Sequence, residues 1–350
     1  MSARMESAGR RYVEEAGRLT GVVEAFADLP VLVMADLVLD EFLHAEIARV
    51  SREAPVLIVE HRRLESMPGG GANAIRNIRA LGGRPIPVGM VGDDDAGRRL
   101  RELLAGEGVD VSAIRTVAGF ETPVKTRVLA ALPHSRPQQV VRIDRGATGS
   151  VSAADARGAA ARASALLDGC RALLLTDYGY GLVSPGPCAD LISAARAKGL
   201  PVTSDSRHRS REFRGVSSAT PNIEEAEEIL GCRLDDAALA EAGARLLESL
   251  GARELLVTRG SRGMLLFQAA RPPVEIPVFG SDQVSDVTGA GDTVIAAFTL
   301  GLASGASPID AALVANAAAG LVVMKQGTAV VSPEELTAAL RGAAASGGTS

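Results

Sequence analysis

Cysteine is scarce in this chain: Cys170, Cys188 and Cys232 are the only three, odd in number, far apart and without a C-x-x-C pair. No disulfide framework can be drawn from them, and a reducing compartment is the simplest setting. The four histidines are equally scattered, so neither residue type offers a zinc or iron cluster. No apolar run is long enough to cross a bilayer, and the first residues are mixed polar and charged rather than secretory. The expected location is therefore the cytoplasm, with no membrane partner. A net charge of -5 lacks the basic excess that a nucleic-acid backbone calls for, although a local pocket for a phosphorylated metabolite is compatible with it. Two nucleotide-binding motifs are also missing. No G-x-x-x-x-G-K-[ST] occurs, and Ala35-Asp36-Leu37 stands where a dinucleotide-dependent oxidoreductase would carry G-x-G-x-x-G after its first strand.

What is present is a 350-residue chain, 47% apolar and 23% charged, with 38 glycines that suggest many tight turns. That length can bury one large α/β core. Val31 to Ala35 reads as a first buried strand, Ile75, Ile78 and Leu81 recur at helical spacing before Gly82-Gly83, and Ile86 to Val91 and Ala96 to Glu107 read as strand and helix. The alternation continues through a strand at Ala172 to Asp177, a helix at Cys188 to Lys198, a strand at Pro201 to Asp205 and a helix at Glu224 to Leu230. A longer helix at Leu239 to Leu250 precedes strands at Glu254 to Thr258 and Gly263 to Phe267. This order predicts a largely parallel sheet covered by helices on both faces. Ligands in such folds gather beyond the carboxyl ends of strands, where Asp177, Asp205 and Thr258 fall.

Two stretches break the alternation. Leu43 to Leu64 and Thr122 to Asp144 are rich in strand formers and predict a small sheet capping the core as a lid, with lid segments at about 41–66 and 120–145. Pro137 and Arg145-Gly146-Ala147-Thr148-Gly149 mark its return to the core. Residues 1–24 are expected to be an N-terminal extension, a helix either frayed or docked, residues 25–340 the main domain, and 341–350 a mobile tail.

Asp286-Val287-Thr288-Gly289-Ala290-Gly291-Asp292-Thr293 carries the strongest functional signal. Gly289, Ala290 and Gly291 are small enough for a turn to present its N–H groups to an anion, at the positive end of the helix that the following apolar run begins. A carboxylate at Asp292 is unwelcome beside phosphate unless it takes a proton from an attacking hydroxyl. The alternative is a tight turn with Asp292 as a helix cap.

Pro68-Gly69-Gly70-Gly71-Ala72-Asn73 lets a small polar ligand approach the main chain at Gly70, with Asn73 either bonding hydroxyls or capping a helix. Asp40 adds a second candidate for a polyol, or simply ends a strand. In Thr220-Pro221-Asn222-Ile223-Glu224-Glu225, Asn222 and Glu225 form a capping box or order water around Mg2+ on nucleotide phosphates; the two roles are compatible. Thr258 and Gly260 sit in a turn between strands, where Thr258 can reach phosphate and Gly260 leaves room for a base or ribose. Asn316 is the polar exception in a close-packed helix beginning at Ala315 and is a candidate for the nucleotide pocket. Arg49, Arg52, Lys125, Arg127, Arg142 and Arg145 crowd the lid, either as an exposed charged face or as a clamp for a phosphate on the acceptor.

Together these motifs resemble the ribokinase-like (PfkB) family of carbohydrate kinases from about Val31 to Glu335. Within that family the chain is most similar to the heptose 7-phosphate kinase domain of ADP-heptose synthases. The closer likeness rests on Asp36 to Asp40, Arg49 to Val56, Thr122 to Val128, Val141 to Asp144 and Leu175 to Tyr178. The resemblance implies a three-layer α/β sandwich with a nine-stranded-type sheet and a small β-sheet lid used in homodimerisation. It also implies γ-phosphoryl transfer from ATP, with Mg2+ and an optional monovalent cation, to the anomeric hydroxyl of D-glycero-β-D-manno-heptose 7-phosphate.

By that resemblance Asp292 is the catalytic base, with Gly289, Ala290 and Gly291 as the anion hole. Asp40, Gly70 and Asn73 match the family's acceptor-binding positions, and Asn222 and Glu225 its metal-and-phosphate motif, with Asn222 toward nucleotide and Glu225 toward the metal; the residue reading alone adds Lys125, Arg127 and Arg142 as acceptor candidates and Thr258, Gly260 and Asn316 as nucleotide candidates. Four positions depart from the heptose-kinase pattern: Ala35 replaces a glycine, Arg52 a proline, and in Tyr178-Gly179-Tyr180-Gly181 Gly179 and Tyr180 replace the alanine and lysine of a Tyr-Ala-Lys-Gly run. The chain ends before an adenylyltransferase domain, so the kinase step alone is expected. A different, unphosphorylated sugar or nucleoside acceptor, and a non-catalytic nucleotide- or metabolite-binding role, remain the alternatives.

Overall fold

Leucine- and valine-rich runs of five or six residues are too short for buried helices and long enough to cross a sheet, and the chain uses them so. The computed structural model describes residues 2–132, 135, 137–146, 151–280, 286–325 and 327–347. Helix α1 (Ser2–Glu24) precedes β1 (Pro30–Ala35), after which β2 (Leu37–Val50) and β3 (Leu57–Gly70) leave and re-enter the core before α2 (Gly71–Ala80). Next come β4 (Arg84–Gly92), α3 (Asp95–Gly106) and β5 (Ile114–Val117), then a second excursion through β6 (Val124–Ala131) and β7 (Gln138–Arg145). The chain continues with α4 (Ala153–Ala165), β8 (Ala172–Asp177), α5 (Pro185–Ala197), β9 (Val202–Ser206), β10 (Ser218–Ala219), α6 (Ile223–Leu230) and α7 (Asp236–Leu250). It closes with β11 (Glu254–Thr258), β12 (Met264–Gln268), β13 (Val274–Ile276), α8 (Ala290–Ala303), α9 (Pro308–Val322) and α10 (Pro333–Gly347).

Nine strands make one sheet in the order β13-β12-β11-β10-β9-β8-β1-β4-β5. Neighbours from β11 to β5 run parallel, while β12 and β13 fold back antiparallel. The two-residue period of a strand sends Val31, Val33 and Ala35 to one face, against α2, α8 and α9, and Leu32 and Met34 to the other, against α4 and α5. A third cluster joins Leu255, Val257 and Phe267 to α6 and α7. The result is the three-layer α/β architecture that the sequence predicts.

The second sheet, ordered β3-β2-β6-β7, is the lid. Its two hairpins are antiparallel and joined by a parallel β2–β6 pairing that sets Asp40 beside Lys125 and Phe42 beside Arg127. The root of β2, Leu37 to Leu39, is buried in the core, whereas Leu57, Leu64, Val141 and Ile143 lie exposed further out. Of the expected return segment, Arg145 ends β7 and residues 147–149 lie outside the described residues.

The N-terminal segment is docked: Tyr12, Leu19 and Val23 are buried where α1 meets α9 and α10. The stretch expected to be a mobile tail after Leu340 continues α10 as far as Gly347, with 348–350 outside the described residues. The helix expected to start at Ala315 starts at Pro308, behind a Ser307 cap. Strand β5 and helix α4 were not legible, because one is only four residues long and the other packs mainly through alanines. No helix among the described residues is long and apolar enough to cross a membrane.

Candidate active site

The parallel strands end in Asp36 after β1, Asp177 at the end of β8, Asp205 in β9 and Thr258 at the end of β11, so four polar side chains share one edge of the sheet. A cleft of about 570 Å3 opens there, lined among others by Tyr178, Asp205, Arg207, Asn222, Glu225, Thr258, Gly260, Gly289, Gly291 and Asp292. It spans from the 3-10 turn Gly260–Arg262 to the N-terminus of α8.

Gly289 is the N-cap of α8, at φ +80°, a left-handed conformation that L side chains rarely adopt. A Cβ there would also lie 2.6 Å from Nδ2 of Asn73, so the turn requires glycine twice over. The amides of Gly289, Gly291 and Asp292 have no hydrogen-bond partner among the described residues and stand at the positive end of the helix. Ala290 differs from the sequence-based expectation: its N–H turns back to the Val287 carbonyl at 3.2 Å.

Asp292 is buried in the first turn of α8. Its Oδ2 accepts from Asn73 Nδ2 at 2.8 Å and its Oδ1 from the Tyr178 hydroxyl at 2.7 Å. Burial pushes its carboxyl up to about 6, against the two hydrogen bonds, which favour the charged form. Asn73 is itself placed by a polar chain between helices: Asn77 Nδ2 donates to the Asn73 carbonyl at 2.9 Å and the Thr293 hydroxyl donates to Asn77 Oδ1 at 2.8 Å.

On the lid side of Asp292 lies Asp40, buried, with Arg127 3.0 Å away but misaligned for a hydrogen bond, so one oxygen and one guanidinium nitrogen stay unsatisfied. Gly69 allows this approach, since a Cβ would sit 2.7 Å from the Asp40 oxygens. Gly70, at φ +52°, turns β3 into α2. Lys125 is buried with no acceptor among the described residues, and its pKa is lowered, first by burial and then by Arg207.

Asn222 and Glu225 make the reciprocal capping box of α6, each backbone N–H donating to the other's side chain at 2.9 Å, and both line the cleft. Burial first, and then Glu225 and Asp292, raise Asp205 well above the usual carboxylate range; burial likewise raises Glu225. Among the described residues no three His, Cys, Asp or Glu side chains converge as a metal site. The donor set instead fits an ion that takes few protein oxygens and draws most ligands from water and phosphate.

The structure thus brings together Asp292, Gly289, Gly291, Asn73, Asp40, Gly70, Lys125, Arg127, Asn222, Glu225, Thr258 and Gly260 around one edge. Asn316 is elsewhere. Its Nδ2 donates to the Tyr12 hydroxyl and the Pro277 carbonyl, both at 2.8 Å, tying α9 to α1, and it does not line the cleft. Arg142 lies on the exposed edge strand and pairs with Asp144 at 2.9 Å; Arg145 pairs with Glu41, and Arg49 and Arg52 are exposed at the lid tip. Sequence reasoning assigned no role to Tyr178, Asp36 or Arg207, though the strand-end rule pointed at their neighbours Asp177 and Asp205.

Residues 37–335 match the family model described as pfkB family carbohydrate kinase. Among curated proteins, the chain is 42% identical over 313 residues to the bifunctional protein HldE of Azotobacter vinelandii, covering 89% of this chain and 64% of that protein. It is likewise 42% identical over 317 residues to the bifunctional protein HldE of Pseudomonas fluorescens, covering 90% and 64%. The chain therefore spans less than two thirds of these relatives. Arabidopsis thaliana ribokinase complexed with ribose and ATP superposes with a TM-score of 0.71 at 22% identity, covering 89% of this chain and 99% of that one. Phosphofructokinase-2 from Escherichia coli in complex with potassium gives 0.71 at 20%, covering 91% and 99%. At such identities the likeness establishes the ribokinase-like fold alone.

Proposed function

The chain belongs to the pfkB family of carbohydrate kinases, and from that premise we propose that it transfers the γ-phosphoryl group of ATP to a sugar hydroxyl. The acceptor that the resemblance favours is D-glycero-β-D-manno-heptose 7-phosphate, at its anomeric hydroxyl. One observation carries the reading: a buried carboxylate, Asp292, held through both oxygens, sits between the cleft and the lid next to helix N-terminal amides that have no partner among the described residues. In the reaction the acceptor O–H proton passes to Asp292 as the new O–P bond forms and the bond from the γ-phosphorus to ADP breaks. The amides of Gly289, Gly291 and Asp292 oppose the charge on the moving phosphoryl group without reorganising. Asp40 and Asn73 orient the acceptor, and the lid excludes water.

Nucleotide is assigned to the cleft, with Gly260 beside base or ribose and Thr258, Asn222 and Glu225 toward the phosphates. Mg2+ there would neutralise charge on the β- and γ-oxygens. A monovalent cation, by analogy with the potassium complex of phosphofructokinase-2, is an optional further ligand, tested by exchanging K+ for Na+. The exposed Leu57, Leu64, Val141 and Ile143 support a homodimer formed through the lid, which the molar mass in solution by light scattering tests directly.

A neutral sugar or nucleoside acceptor draws support from a specific observation: Arg142, Arg145 and Arg127 are already paired with Asp144, Glu41 and Asp40, and Lys125, which lies over the Tyr178 ring, is left with no carboxylate partner among the described residues. The deciding experiment is a transfer assay with ATP and Mg2+ on phosphorylated and neutral sugars, run beside Asp292→Asn. Turnover of some sugar by the native chain and its collapse in the variant, with nucleotide binding retained, is the expected result. Near-normal turnover in Asp292→Asn would remove the base assignment.

A further inference from the structure

Tyr178, the first residue after β8, touches three functional groups from three parts of the chain. Its hydroxyl donates to Oδ1 of Asp292 at 2.7 Å. Its ring lies under Lys125 of the lid strand β6 and under Arg207, just past β9, each 5.1 Å from the ring centroid. Packing alone would be served by phenylalanine, since the same ring would fill the same space.

The loop that carries Tyr178 is held with unusual thoroughness. Oδ2 of Asp36 accepts from the backbone N–H groups of Tyr178 and Tyr180, both at 3.0 Å, and Oδ1 accepts from Leu182 at 3.1 Å and Val183 at 3.3 Å. Asp177 adds a bond from the Gly179 amide at 2.9 Å and is itself held by Arg209 and Ser206. Two buried carboxylates thus fix one short turn, although each would be better solvated in water. Fixing the turn fixes where the phenol meets Asp292.

We propose that Tyr178 is a positioning residue for phosphoryl transfer: its phenol holds the Asp292 oxygen that Asn73 does not, and its ring keeps Lys125 and Arg207 on the two flanks of the transfer point. This rests on the kinase reading given above. With one donor on each oxygen the carboxylate cannot swing about its side-chain axis, and the lone pairs left over face the incoming hydroxyl at a constant angle. The ring attracts both cations through its face and keeps their charges near the phosphates of the two substrates, while the lid cation and the cleft cation repel one another. The groups that face Asp292 are Asn73 from α2, Asp40 from β2, Lys125 from β6, Asp205 from β9 and Tyr178 itself.

The test is Tyr178→Phe, which removes the hydroxyl and keeps the ring. We expect kcat to fall about tenfold, the consequence of losing one hydrogen bond to a charged group, with KM for ATP and for sugar changed by about twofold or less. Loss of a donor to the carboxylate also moves the acid limb of kcat/KM to higher pH. Replacing Tyr178 with a trifluorotyrosine, a stronger donor of the same shape, moves that limb to lower pH and reads the same bond even if the phenylalanine variant folds poorly. Unchanged kcat together with an unmoved acid limb in both variants would overturn the inference. If Asp292→Asn is inactive while both Tyr178 variants behave as wild type, only this inference fails; if Asp292→Asn turns over normally, the kinase-base reading fails first.

Discussion

Asn73 in the first turn of α2 donates its side-chain amide to Asp292 in the first turn of α8, over 2.8 Å and across 219 residues of sequence. The two helix N-termini are therefore locked to each other at the point where acceptor and phosphate are to meet. Asn73→Ala is expected to lower kcat about 10- to 100-fold, from the loss of a hydrogen bond to a charged group, while KM for ATP stays within about twofold. Steady-state kinetics with each substrate varied in turn checks this; a rise in KM for ATP with kcat intact would assign Asn73 to nucleotide instead.

Asp292 links activity to pH and to stability with opposite benefit. As a base it works when ionised, so the acid limb of kcat/KM is expected near pH 6, the level to which burial pushes its carboxyl. For stability, the folded state keeps a proton between the ordinary 3.8 and about 6 that the unfolded chain has released. The group's contribution therefore falls as pH rises through that window, and the loss is complete above about 6, on the order of 3 kcal/mol at most. Asp292→Asn should melt at a higher temperature than wild type at pH 8, with the gap closing at pH 4. Calorimetry at the two pH values measures it, and an equal gap at both would contradict the burial argument.

Gly289 and Gly291 look interchangeable in sequence and are not in space. Gly289→Ala meets both a positive φ of +80° and the Asn73 amide, so it should destabilise by about 1–3 kcal/mol and lower kcat. Gly291→Ala finds nothing within 4 Å of its new Cβ and lies in helix, so its stability should equal or slightly exceed that of wild type. Denaturant midpoints for the pair provide the comparison.

Lys125 and Arg142 separate the two acceptor classes. Lys125 is buried and without an acceptor among the described residues, whereas Arg142 is exposed and paired with Asp144. For a phosphorylated sugar, Lys125→Met should raise KM about tenfold or more, and Arg142→Ala about twofold or less. The reverse order, measured by initial rates, would place the acceptor phosphate on the outer strand.

Much of the fold was legible because its signals are local. Compact apolar runs separated by helical spacing gave the parallel sheet, and the strand-rich exceptions gave the lid. The site was legible where backbone freedom and chemistry coincide, as at Gly289 to Asp292 and Gly70 to Asn73. Asn316 misled because a buried amide in a helix has no sequence mark distinguishing a ligand contact from a tie to Tyr12. Arg142 and Arg145 misled because a cluster of cations in sequence does not show which carboxylates they pair with, here Asp144 two residues along the same strand and Glu41 across the sheet. The aromatic ring of Tyr178 left no periodic trace at all.

The order of residues by itself determined the α/β alternation, the glycine turns and the family, since each depends on neighbours a few positions apart. Only the tertiary structure decided which side chains reach Asp292, which cations are already neutralised and which amides stay open. Those relations join α2, β6, β8 and α8 through contacts between segments far apart in sequence, and the distances and burial that give them their energies exist only once the sheet has assembled.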